Sequence, residues 1–214
     1  MKKQKYNGYN GDYGIYSGSI KTIPNNFNPK HRYSLEMRTD LQSMINSKNH
    51  LVVICMNPST ASDRITDPTV DEIIRTMFIM GYKGFTLFNL YPERATDPKD
   101  LPKYETVTKD EVDQYLKNNI GVIDKFLQCN PDITEVWGAW GNIDKEVLKL
   151  GKKEVLKLLK SKNIKVFYFV KKIKVFYFVK KIKHRNPPHP LNRKIAKFRQ
   201  PRNKKYLPID EYLQ

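Results

Sequence analysis

Short apolar runs alternating with helical patterns predict an α/β fold: three α/β/α layers around a mostly parallel, four-stranded central sheet. The first observation is the run L-V-V-I-C-M at 51–56, apolar on both faces and too short for a helix, as a strand buried on both sides must be. The second is its recurrence at 85–90, 133–137 and 166–170, the last with an identical copy at 175–179. The third lies between these runs. At 69–80, Val70, Ile73, Ile74, Met77 and Phe78 fall on one helical face, behind Asp67 as a cap and Pro68 as a first-turn proline. The segments 111–127 and 143–159 repeat that period. Strands alternating with helices imply a sheet covered on both faces, with ligands bound beyond the carboxyl ends of its strands.

At 214 residues the chain has room for one such domain. It is expected over 31–214, ending in a basic segment and preceded at 1–30 by a segment in which tyrosines alternate with glycines, which reads as an arm or a short, twisted strand pair. The nine residues I-K-V-F-Y-F-V-K-K occur at 164–172 and again, letter for letter, at 173–181, which reads as a recent duplication or an anomaly of this particular sequence. Nine is odd and strand side chains alternate, so a slip between copies would swap the faces, and only one copy can be the core strand. The second, nearer in sequence to His189, is expected to be that strand.

Composition narrows the partners. Lys and Arg number 39 against 22 Asp and Glu, a net charge of +17 that favours a polyanion, nucleic acid first. No apolar stretch approaches the ~20 residues a membrane span needs, so no membrane partner is expected. Cys55 and Cys129 form no C-x-x-C pair, so neither a disulfide framework nor a cysteine-ligated metal or cluster is indicated, and no cofactor is expected. The first residues lack the apolar segment of a secretory signal, which points to the cytoplasm.

Polar residues cluster where the strands should end: Met56, Asn57, Pro58, Ser59 and Thr60 after the first, Asn89 and Tyr91 at the second, Trp137 to Gly141 at the third and His189 after the last. Each alone suits a cap or a turn. Several strand ends contributing to one edge is what a ligand site requires.

The motifs H-R-Y-S-L at 31–35, N-P-S-T-A at 57–61, D-P-T at 67–69, N-L at 89–90, W-G at 140–141 and H-P-L at 189–191 resemble a bacterial and phage family catalogued only as a domain of unknown function, over about 31–192. That family in turn resembles the uracil-DNA glycosylase superfamily, whose first motif ends a strand as G-x-[DN]-P, as Met56-Asn57-Pro58 does with Cys55 in place of glycine. Its second strand ends in L-L-N, matched by Leu87-Phe88-Asn89. A third ends in W-G, and its H-P-S motif is matched by His189-Pro190, with Leu191 in place of serine.

The resemblance implies a uracil-DNA glycosylase-like fold and an enzyme of base-excision DNA repair that flips uracil or a modified pyrimidine out of DNA and hydrolyses its N-glycosidic bond. It assigns His189 as the donor to the departing base and Asn57 as the residue that orients water, with Asp63 or Asp67 as an auxiliary base. Asn89 would read the O4 and N3-H edge of uracil, with Met56, Pro58 and Tyr91 lining the base site. Ser59, Thr60, Arg193 and Lys194 would contact DNA phosphates, and Leu191 would fill the gap left by the base. The expected partner is uracil-containing DNA, single- or double-stranded; the sequence identifies no protein inhibitor. The alternative is a module of the same fold that binds nucleic acid or a nucleotide without cleaving it.

Overall fold

The computed structural model describes residues 20–24, 30–38, 50–62, 66–101, 108–169, 189 and 204–213. Asp63, Leu191, Arg193, Lys194 and the second repeat copy lie outside them.

The strands are β1 (Ile20–Ile23), β2 (Ser34–Arg38), β3 (Leu51–Cys55), β4 (Gly84–Asn89), β5 (Glu135–Gly138), β6 (Lys165–Phe169) and β7 (Lys204–Tyr206). The helices are α1 (Pro68–Ile79), α2 (Lys109–Cys129), α3 (Glu146–Ser161) and the single turn α4 (Ile209–Tyr212). Among the described residues the sheet has seven strands in the order β1-β2-β4-β3-β5-β6-β7 and is mixed. The four expected strands form its parallel centre, β4-β3-β5-β6. The expectation of four strands is thereby corrected: β1 and β2 add antiparallel at one edge and β7 at the other. These edge strands are short and hold charged residues, so they lack the continuous apolar signature of the centre. Strand β1 comes from the 1–30 segment, read as an arm or a short strand pair.

The layers follow from strand alternation. Leu51, Val53, Cys55, Phe85, Leu87, Trp137, Phe167 and Phe169 pack with Val70, Ile73, Ile74 and Met77 of α1. Val52, Ile54, Phe88, Val136 and Val166 face the other way, against Val112, Leu116 and Ile123 of α2 and Val147, Leu148 and Val155 of α3. Each fully buried side chain of this kind contributes about 1.5–3 kcal/mol. Helix α1 starts where its sequence says it should, with the Asp67 carboxylate accepting from Val70 N at 2.9 Å. Thr108 and Glu111 cap α2 reciprocally.

The first repeat copy, not the second, supplies β6, which pairs parallel with β5 and antiparallel with β7. The reason is the turn before it. Lys162 closes α3 by bonding Leu158 O, Asn163 adopts φ 56°, and Ile164 N returns to Leu159 O at 2.9 Å. The chain enters the sheet three residues after the helix, and a nine-residue detour to the second copy is unnecessary.

From β3 the chain passes through α1 to β4, then through α2 across β3 to β5, and on through α3 to β6. The direction of winding reverses between β3 and β5, and the carboxyl ends of those strands are where a doubly wound sheet opens a crevice.

Candidate functional site

Strand β3 delivers the N-P-S-T-A segment to that edge, and hydrogen bonds staple it there. Asn57 Nδ2 donates to Pro58 O at 3.0 Å and to Ala95 O at 2.8 Å. Pro58 O also accepts from Ala95 N at 2.9 Å. Arg94 Nη1 donates to Ser59 O at 2.6 Å and to Ala61 O at 3.0 Å, and Arg32 Nη1 meets Ala61 O at 2.6 Å. Ala61 N in turn donates to Asp67 Oδ2 at 3.3 Å. Asp67 thus accepts from two backbone amides, one as a helix cap and one as a loop tie. Thr60 is exposed and Ser59 half-buried.

Asn89 ends β4 as the register partner of Cys55. By alternation its side chain continues the row of Phe85 and Leu87 on the α1 face. It is 0% exposed, and neither Nδ2 nor Oδ1 has a partner. A buried amide left this way costs about 1–3 kcal/mol per unsatisfied group, so its retention calls for a reason. Cys55 beside it is no nucleophile: burial pushes its thiol far up and Asp67 adds to the rise, while Arg32 opposes it.

The turn after β4 carries Leu90 and Tyr91, whose amides bond Met56 O at 3.1 and 3.2 Å. Met56 and Tyr91 are both buried, on the α2 and α3 face. Asn119 of α2 donates to Asn89 O at 2.8 Å. The Tyr91 hydroxyl, Asn119 Oδ1 and Trp140 Nε1 are buried without partners. Burial pushes the Tyr91 hydroxyl up, with Glu93 adding to the rise.

Beyond β5, Gly141 brings His189 to the same edge. Gly141 has φ +71°, and a Cβ built on it would lie 3.2 Å from His189 Cβ. Both the conformation and the close approach demand glycine. Asn57, Asn89 and His189 thus lie beyond β3, at the end of β4 and against the turn beyond β5, respectively. They share the carboxyl edge of three adjacent parallel strands.

Sequence reasoning did not single out three residues of this edge. Arg32 stands in the H-R-Y-S-L motif with no role assigned to it and Arg94 carries no motif, yet Arg32 is 2% exposed. Asn119 had a legible signal, since it falls among Val112, Leu116, Ile123 and Leu127 on the apolar stripe of α2.

A mixed α/β sheet with helices on both faces and polar side chains gathered at the carboxyl ends of its parallel strands defines the class, a doubly wound α/β architecture. Within that class, residues 32–191 match the family described as "Protein of unknown function (DUF1643)", and the chain belongs to it. No curated protein and no solved structure matches. Among the described residues, no helix is long and apolar enough to cross a membrane. Also among them, no group of three or more His, Cys, Asp or Glu side chains is placed to hold a metal ion.

Proposed function

We propose that the chain is a uracil-DNA glycosylase-like enzyme that takes uracil or a modified pyrimidine out of DNA and hydrolyses its N-glycosidic bond. The observation that carries this reading is Asn89, a fully buried amide whose donor and acceptor are both unspent at the carboxyl edge. A pyrimidine edge offers one acceptor, O4, next to one donor, N3-H, and an amide satisfies the pair. Asn89 has no accessible surface, so a base reaches it only when the groups over it move aside.

His189, against Gly141, supplies the donor that stabilises negative charge on the leaving base. Asn57 spends its nitrogen on two carbonyls, so Oδ1 is the end that orients a water. The cationic sugar and anionic base of the transition state then receive fixed dipoles rather than a mobile solvent shell. Catalysis without a carboxylate base rests on stabilising that cation.

The test is a single uracil in single- and double-stranded oligonucleotides, with alkali to cut any abasic site. Strand scission that disappears in His189→Ala supports the proposal; intact binding with no scission at high protein concentration overturns it. One observation favours the second reading, a non-catalytic nucleic-acid or nucleotide-binding module. Asp67 is held by Val70 N and Ala61 N, which withdraws a carboxylate from the water-activating role.

A further inference from the structure

We propose that the exposed face of α3 is a docking surface for the phosphate backbone of a nucleic acid, carried by Lys149, Lys153, Lys157 and Lys160. This rests on the reading of a nucleic-acid partner, but not on cleavage of a glycosidic bond.

The four lysines are exposed and recur at spacings of three or four residues, so they form one stripe along the helix. From Lys149 to Lys160 the stripe runs about 17 Å, roughly the rise of five base pairs. Helix α3 holds five lysines against two glutamates, a net +3. Its neighbour α2, on the same face of the sheet, holds three lysines against four carboxylates, and α1 holds one arginine against two. The positive charge of the described helices is thus gathered on one of them. A face that need only be wetted mixes its signs and satisfies itself. Helix α2 does so: Asp113 stands four residues before Lys117, Gln114 donates to Asn118 and Gln128 to Asp124, each at 2.8 Å. On α3, Lys149, Lys153 and Lys157 instead stand at i, i+4 and i+8, where like charges repel. Glu146, Glu154 and Asp210 offset part of this, at 3.1, 2.7 and 2.6 Å from Lys149, Lys157 and Lys160. Those pairs lie on the surface, where an ion pair is worth little and gives way to a phosphate. A polyanion relieves the remaining repulsion along the whole stripe.

A basic amphipathic helix also suits an anionic membrane, but only if its apolar face is free to enter the lipid. Here that face is spent: Val147, Leu148, Val155, Leu156 and Leu159 are all 0% exposed, packed in the core. What α3 offers a partner is charge alone, which fits a nucleic-acid backbone. The placement fits as well. Because it follows β5, the helix starts at the carboxyl edge, just past the turn where Gly141 meets His189. Lys145 ties that start to Lys99 O and Leu101 O at 3.1 and 3.4 Å. A strand with one base at that edge can lay its neighbouring phosphates along α3.

The test measures binding of a short duplex without uracil to the full chain, by fluorescence anisotropy over a range of salt. Two triple variants remove the same charge from different helices, all at exposed positions. One carries Lys149→Gln, Lys153→Gln and Lys157→Gln on α3, the other Lys109→Gln, Lys117→Gln and Lys125→Gln on α2. With one phosphate neutralised per lysine, the α3 variant's log–log salt slope should be shallower than wild type by about 2.7. Its loss of affinity between 50 and 200 mM salt should then be smaller by about 40-fold. The α2 variant should keep the wild-type slope.

A readout on the unaltered chain stands beside the variants: the duplex should shield Lys153 from amine acetylation and leave Lys117 reactive, mapped by peptide mass. Equal slopes in all three proteins, equal flattening in both variants, or an unshielded Lys153 overturns the inference. So does tighter binding to vesicles of anionic phospholipid than to the duplex, or no binding of the duplex by wild type. Uracil release with the salt slope unchanged in the α3 variant would sink this surface and spare the glycosylase reading. A flattened slope without uracil release would do the reverse.

Discussion

The two edges of the sheet treat polar side chains in opposite ways. At the amino edge, His50 Nε2 meets Thr86 Oγ1 at 2.7 Å. Glu135, at the start of β5, receives the Tyr206 hydroxyl at 2.8 Å, the Tyr82 hydroxyl at 3.4 Å and the Lys204 ammonium. At the carboxyl edge, Asn89, Tyr91, Asn119, Trp140 and Arg32 each bury a polar atom without a partner. The same chain solves the burial problem at one end and leaves it open at the other. Unsatisfied polar groups gathered at one edge of one sheet mark a place kept for something other than stability.

The comparison breaks most sharply at His189. If the carboxyl edge is catalytic, His189→Ala should slow uracil release by about 10²- to 10³-fold, measured as single-turnover scission, with the melting temperature little changed. Gly141→Ala, which combines a positive φ with crowding of His189, should mimic that loss without removing the imidazole.

Next comes the packing under both edges. Phe167 and Phe169 contact at 5.7 Å and Phe169 meets Trp137 at 5.3 Å, so Phe167→Ala should cost about 3–5 kcal/mol in denaturant unfolding. The identical change at Phe176, in the second copy, leaves these contacts in place and should cost less. Deleting either copy produces the same protein, so only substitutions tell them apart.

Asn89→Leu tests the contrast directly. Removing an unpaired amide should stabilise the free protein by about 1–3 kcal/mol while abolishing base recognition, whereas Thr86→Val at the amino edge should destabilise by about 1 kcal/mol. Equal signs for the two changes, read by chemical denaturation, would erase the distinction between the edges.

The smallest effect lies in the pH dependence. Burial pushes the Asp71 carboxyl, in the first turn of α1, up to about 6. The native protein then binds the extra proton between about pH 4 and 6, and this contribution to stability falls as pH rises through that window. Burial pushes the His50 imidazole, at the other edge, down to about 4. There the unfolded chain binds the extra proton between about pH 4 and 6.5, and stability rises with pH. The two slopes oppose each other. Asp71→Asn should uncover the rising one, and a melting temperature equally flat with pH in wild type and variant would refute the pairing.

How much of this was legible follows from what each residue's neighbours in sequence reveal. The parallel strands announce themselves because both faces are apolar, and α1 because Asp67-Pro68 precedes a periodic run. Strand β7, K-K-Y, carries no such pattern; it exists because Glu135 and the Phe167 ring receive Lys204, a relation across the sheet. The residues at the strand ends could be nominated from their order along the chain. That Asn89 is sealed and unpaired, while Asp67 is occupied, is decided by contacts between segments far apart in sequence. Arg32 belongs to a motif noticed for its letters, but its burial depends on the loop it braces.

The stapled N-P-S-T-A loop has a consequence for the rate and heat of binding. Its carbonyls at Pro58, Ser59 and Ala61 are already spent on Ala95, Arg94 and Arg32, so a ligand arriving there finds the backbone in its final shape. Little ordering entropy is lost on association, and encounter is not slowed by a search for the right loop conformation. On the proposed reading, the motion that opens Asn89 to a base falls to the side chains over it, and the stapled backbone of this loop stays as it is.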